Sequence, residues 1–252
     1  MLKSHKLNIF INGIIFALVI GVMKGYKKEG SRAIKKNLRT VFSGNLDDLL
    51  KKIESYPVDS IIGPVISFFY HKDPFIKFRA ITLIGKIISE LFESKTEKAR
   101  VVMRRLMWNL NDESGGIGWG SAEAMGEAMA QNRGVAKEFG NMLISYINME
   151  GNYLEHPELQ KGALWGVFRC GEVNKAQFSE AKMYLPNFYR SNDSETRGFS
   201  LLASLELECD LESLVKCFSK DEGVFEVFIG DEFVRYVIKD IVNQKIKTKT
   251  IK

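Results

Sequence analysis

Asp73–Ile88, DPFIKFRAITLIGKII, is the stretch whose reading decides the fold. It opens with Asp-Pro, a helix-start pair in which aspartate can cap and proline suits the first helical position. Apolar side chains then recur at helical spacing, and Gly85 interrupts them where glycine costs about 1 kcal/mol relative to alanine. Three further segments repeat this plan: Gly120–Ala130 (GSAEAMGEAMA), His156–Cys170 (HPELQKGALWGVFRC) and Asp193–Leu205 (DSETRGFSLLASL). Gly85, Gly126, Gly166 and Ala203 fall at matching places, about forty residues apart.

A recurring period of this length is the signature of stacked helical units. In the second copy Ala122, Gly126 and Ala130 form a side-chain-poor stripe, against which another helix can pack closely. Met125 and Met129 form the adjacent apolar stripe, and Glu123, Glu127 and Gln131 are expected to face water. The third copy repeats the stripe with Gly162, Gly166 and Cys170. Further amphipathic helices are predicted between the copies, at Thr96–Leu110 and Val135–Met149.

Helix pairs at this spacing resemble HEAT-like (armadillo-like) repeats, including those of the phycobilin-lyase (PBS-lyase) type. DPFIKFRAITLIG, with Arg79 and Gly85, carries the resemblance, which spans about residues 45–220. The longer run Arg104–Glu127 is similar to a bacterial branch of HEAT-like proteins to which no activity is attached. The resemblance implies an all-α fold, an α-α superhelix of about four helix pairs, and by analogy a binding scaffold. The loops before the second and third repeat helices are longer than the tight turns of such repeats.

The period changes at the C-terminus. GVFEVFIGDEFVRYVI alternates about Gly230-Asp231, which predicts a β-hairpin of Val224–Ile229 with Phe233–Val237 and a basic helix from about Ile238. Three regions follow: an apolar segment over 1–24, a helical-repeat domain over 25–222, and a hairpin-and-helix cap over 223–252.

Charge is divided unevenly along the chain. Residues 1–52 hold eleven Lys/Arg against three acids, whereas residues 53–244 carry more acids than bases. An acidic body with basic ends does not form the continuous cationic surface that nucleic acid requires. Three cysteines (Cys170, Cys209, Cys217) and three histidines (His5, His71, His156) complete no metal-ligand spacing. Neither a metal nor a cofactor is expected, and the thiols read as core residues in a reducing compartment, the cytoplasm.

Leu7–Met23 is an uncharged run of 17 residues, at the lower limit for crossing a bilayer. Three readings stay open: an anchor in the inner membrane, text ahead of a true start at Met23, or a helix packed on the first repeat. If the run inserts, the lysines and arginines that follow it leave the body on the cytoplasmic side.

GGIGWG, Gly115–Gly120, sets four glycines and a tryptophan between two helices. It lacks the lysine of a Walker loop and the preceding strand of a dinucleotide fingerprint. Ser121 is placed to cap the following helix, and Trp119 to fold back as an anchor. One repeat later, Met149–Leu159 (MEGNYLEHPEL) occupies the same place. The two loops together gather Asp112, Glu113, Gly115, Gly116, Gly118, Trp119, Tyr153, Glu155, His156 and Glu158 along one edge. Aromatics ringed by acids favour a basic protein partner. Trp108 and Trp165 read as core residues. No Ser/His/Asp or Cys/His arrangement is visible, so no catalytic residue is named. The expected function is a non-catalytic adaptor that binds a protein partner. The alternative, which the lyase-type resemblance implies, is a small-molecule or cofactor-handling protein.

Overall fold

A computed structural model describes residues 29–111 and 118–250. The predicted apolar segment over 1–24 lies outside the described residues. Among the described residues no helix is long and apolar enough to cross a membrane. The chain is mostly helical, with a small antiparallel sheet and a final helix at its C-terminal end.

Three short helices come first: α1 (Ser31–Arg39), α2 (Leu46–Glu54) and α3 (Val58–Ile66). They are followed by α4 (Pro74–Ser94), α5 (Thr96–Leu110), α6 (Ser121–Gln131), α7 (Arg133–Ser145) and α8 (Pro157–Gly171). Two 3-10 turns, at Ser179–Met183 and Leu185–Phe188, lead to α9 (Ser194–Glu206) and α10 (Leu211–Phe218). Strands β1 (Val224–Ile229) and β2 (Glu232–Val237) then precede α11 (Ile238–Thr250).

Three of the four repeat helices begin on the caps their sequences provide. Asp73 accepts from Phe75 N at 3.0 Å, His156 Nδ1 from Glu158 N at 3.2 Å, and Asp193 from Thr196 N at 2.7 Å. Pro74 and Pro157 occupy the first helical positions. The fourth start differs. Gly120 holds the cap position of α6 with φ 76°, and the Ser121 hydroxyl is buried without a hydrogen-bond partner rather than capping. Phe69 decides this, because a Cβ on Gly120 would stand 2.8 Å from its ring.

α4, α6, α8 and α9 pack one upon the next in chain order. Glycines set the spacing. A Cβ at Gly85 would strike the Glu127 side chain of α6, and one at Gly126 would strike the backbone of Gly166 on α8. Neighbouring helices therefore meet almost backbone to backbone, which residues with side chains at these points would forbid.

This crowding corrects two expectations. Glu123 and Glu127 do not face water; they are 6% and 4% exposed. α6 has helices α4 and α8 on its flanks and α5 and α7 behind it, so residues Ser121–Met129 are all buried. Trp108 is not core but 75% exposed. The buried stripe of α5 runs through Ala99, Val102, Met103, Leu106 and Leu110, and Trp108 lies off it. Trp165 is buried as expected. α7 ends at Ser145, short of Met149, and Tyr146 and Ile147 just beyond it are fully buried.

The hairpin forms about Gly230-Asp231, whose φ values of 62° and 71° suit a tight two-residue turn. Its register pairs Phe228 with Phe233 and Glu226 with Arg235. Phe225 packs edge-on to Phe199 of α9, while Phe228 stacks on Phe78 of α4 with centroids 5.6 Å apart. The hairpin thus joins the last helix of the row to the first.

Candidate functional site

The row and its bridging hairpin enclose a cavity of about 440 Å³ beside the first turns of α4, α6, α8 and α9. Its apolar lining comes from Phe69, Phe78, Trp119, Trp165, Phe199 and Phe233. Phe78 is the centre of that lining, in edge contact with Trp165 and with Phe233 at centroid distances of 5.6 Å each.

Charged side chains from the same first turns line the walls. Lys161 Nζ lies 2.6 Å from Glu158 and 2.8 Å from Glu195, so one ammonium serves two carboxylates. Burial by itself would lower the Lys161 pKa, but hydrogen bonds to Glu158 and Glu195 outweigh it and hold the value above the ordinary one. Lys161 is therefore a fixed cation and not a nucleophile or base. Lys77 sits 3.6 Å from Glu123 and over the Phe78 ring at 5.6 Å. Lys72, His71 and Glu226 also line the cavity.

One polar group is left over. Trp165 is 1% exposed, and its indole N–H has no hydrogen-bond partner among the described residues. A buried donor in this state carries a desolvation penalty of about 1–3 kcal/mol.

The predicted loop edge is divided by the structure. Trp119, 41% exposed, and Glu158 stand at the cavity. Gly118 brings its loop against α8, since a Cβ there would lie 3.0 Å from Leu159. Tyr153, Glu155 and His156 serve the loop itself. The Tyr153 hydroxyl accepts from Gln160 Nε2 at 2.9 Å, the Glu155 carbonyl accepts from the same amide at 3.4 Å, and His156 caps α8. Asp112, Glu113, Gly115 and Gly116 lie outside the described residues. Sequence reasoning missed Lys77, Glu123, Lys161 and Glu195. Each lies in the opening turns of a repeat helix, but successive positions are 46, 38 and 34 residues apart, so the forty-residue period did not mark them.

Among the described residues no group of three His, Cys, Asp or Glu side chains could hold a metal ion. The Cys170 thiol is buried and donates to the Gly126 carbonyl at 3.4 Å, and burial pushes its pKa up. His71 Nδ1 and His156 Nδ1 both accept backbone N–H groups at helix starts.

No family model matches the chain. It is similar to an uncharacterized protein of Archaeoglobus fulgidus, 25% identical over 179 residues that cover 71% of this chain and 91% of that protein. No solved structure matches.

Proposed function

We propose that the chain is a non-catalytic adaptor: a HEAT-like α-solenoid, with α4, α6, α8 and α9 as its inner row, that holds a segment of a protein partner in the cavity. The observation that carries this reading is Trp119, 41% exposed, lining one cavity with Glu158 and with an aromatic set of buried and half-buried rings. An amphipathic indole at the mouth of an apolar pocket is a common binding hot spot, and removing one costs about 2 kcal/mol or more of affinity. Such a body would work in the cytoplasm, and a membrane anchor over residues 7–23 remains compatible with it.

The test is capture of partners from native extract, followed by affinity measurement on the purified partner with wild-type chain and Trp119→Ala. At least a tenfold loss in the variant is expected. Equal affinity would remove the cavity from the interface.

A second reading, small-molecule binding, rests on the cavity's size. Its volume of about 440 Å³ lies among ligand pockets, which run from about 300 to 1,000 Å³. Native mass spectrometry separates the two readings, because a retained small molecule would favour the second.

A further inference from the structure

Resting on the reading of this cavity as a peptide site, we propose that the group it takes is an arginine side chain of the partner segment. The charges point to a cation. Four carboxylates, Glu123, Glu158, Glu195 and Glu226, line the cavity against three ammoniums, Lys72, Lys77 and Lys161; Glu158 and Glu195 share Lys161, and Lys77 is already placed against Glu123 and Phe78. Three of the four helix starts offer an anion little, because Asp73, His156 and Asp193 already cap α4, α8 and α9; α6 alone starts without a side-chain cap.

The aromatic walls point to a planar cation. A guanidinium lies flat on an aromatic face while its fork meets carboxylate oxygens, and a compact ammonium does neither as well. The fold already holds two of its own arginines this way. Arg79 lies 4.2 Å over the Phe75 ring while gripping Asp231, and Arg169 lies 6.0 Å over the Trp165 ring while gripping Glu127. Trp119, Glu158 and Glu195 line one cavity and supply the same two kinds of group, with no arginine of this chain among the residues that line it.

The experiment uses the full chain carrying Trp108→Phe. Among the three tryptophans this leaves Trp119 as the exposed reporter. Fluorescence is titrated with acetyl-Gly-Arg-Gly-amide and with its citrulline, lysine and glutamate counterparts. Citrulline keeps the shape of arginine and removes its charge. The expected result is a saturable response to the arginine peptide, at least tenfold weaker with citrulline, weaker with lysine and absent with glutamate. Glu195→Gln should weaken the arginine peptide at least fivefold at an unchanged melting temperature, since Glu158 still holds Lys161. Equal binding of citrulline and arginine, binding of the glutamate peptide, or no saturable response up to the solubility limit would each overturn the assignment. If partner affinity still depends on Trp119 in that event, only the guest is wrong; if it does not, the cavity reading falls as well.

Discussion

Asp231 grips Arg79 from 152 positions further along the chain, with Arg79 Nε and Nη2 donating to its two carboxylate oxygens at 2.7 and 2.5 Å. The remaining arm of Arg79 donates to the carbonyls of Phe42 and Gly44. One side chain on α4 therefore ties the hairpin turn to the loop between α1 and α2. Asp231→Asn keeps a residue that tolerates the turn's φ of 71° and removes the charge, leaving Arg79 buried without its counter-ion. A loss of about 2–3 kcal/mol is expected in urea unfolding. Asp231→Ala should lose more, because alanine is also strained at that φ.

The glycine row makes a sharper prediction, because helix propensity and packing oppose each other. Alanine is the better helix former by about 1 kcal/mol. At Gly126 a methyl group would strike the Gly166 backbone, which cannot rotate away, so Gly126→Ala should destabilise by about 2–3 kcal/mol. At Gly63 of α3 the nearest atom beyond its chain neighbours is Arg105 Nη1 at 3.7 Å, but Pro64 follows and disfavours a helical residue bearing a Cβ before it, so the propensity gain is offset and Gly63→Ala should change stability by less than about 1 kcal/mol. Equal losses at the two positions would refute the packing account.

Glu127 links adjacent repeat helices through Arg169 Nε at 2.7 Å, and the two side chains are 5% and 15% exposed. Glu127→Gln keeps the volume and removes the charge facing a guanidinium that cannot deprotonate. A loss of about 2–3 kcal/mol follows from the broken pair. Because the pair is buried, added salt should change that difference little. A loss that vanishes at high salt would mark the contact as solvent-exposed.

Stability should also carry an acid-sensitive component from Asp221. Arg197 donates to both of its oxygens, at 2.6 and 2.9 Å, and Gly223 N adds a third bond at 2.8 Å. These bonds, that to Arg197 first, hold the Asp221 carboxyl below the ordinary value of 3.8. The unfolded chain then binds a proton more readily than the folded one. The stabilisation is present above the ordinary value and is lost as the pH falls through the lowered one. Asp221→Asn should be less stable than wild type at pH 7, and the gap should close below 3.8. A gap constant from pH 7 to 3 would refute this.

What the residues could reveal by themselves follows from short-range chemistry. Capping at Asp73, His156 and Asp193, the proline starts and the alternation about Gly230 act within a few residues of chain, so they are legible in the sequence. The forty-residue period also marked Gly85, Gly126 and Gly166 as packing positions, and each lies against a neighbouring helix.

Where periodicity misled, a neighbour distant in sequence had decided the outcome. Glu123 and Glu127 read as a water-facing stripe until α4 and α8 closed over α6, and Ser121 lost its capping place to a glycine that Phe69 requires. Trp108 was left outside because the buried stripe of α5 faces another way. The cavity belongs to the same class. Its lining is gathered from four helix starts and a hairpin up to about 160 residues apart, and only their packing sets Trp119 and Glu158 beside Lys161, Trp165 and Glu195. The sequence alone determined the repeat helices, the hairpin and the glycine positions where helices can touch. The tertiary structure decided which charges are buried and which side chains share a pocket, because burial depends on what the rest of the chain places alongside.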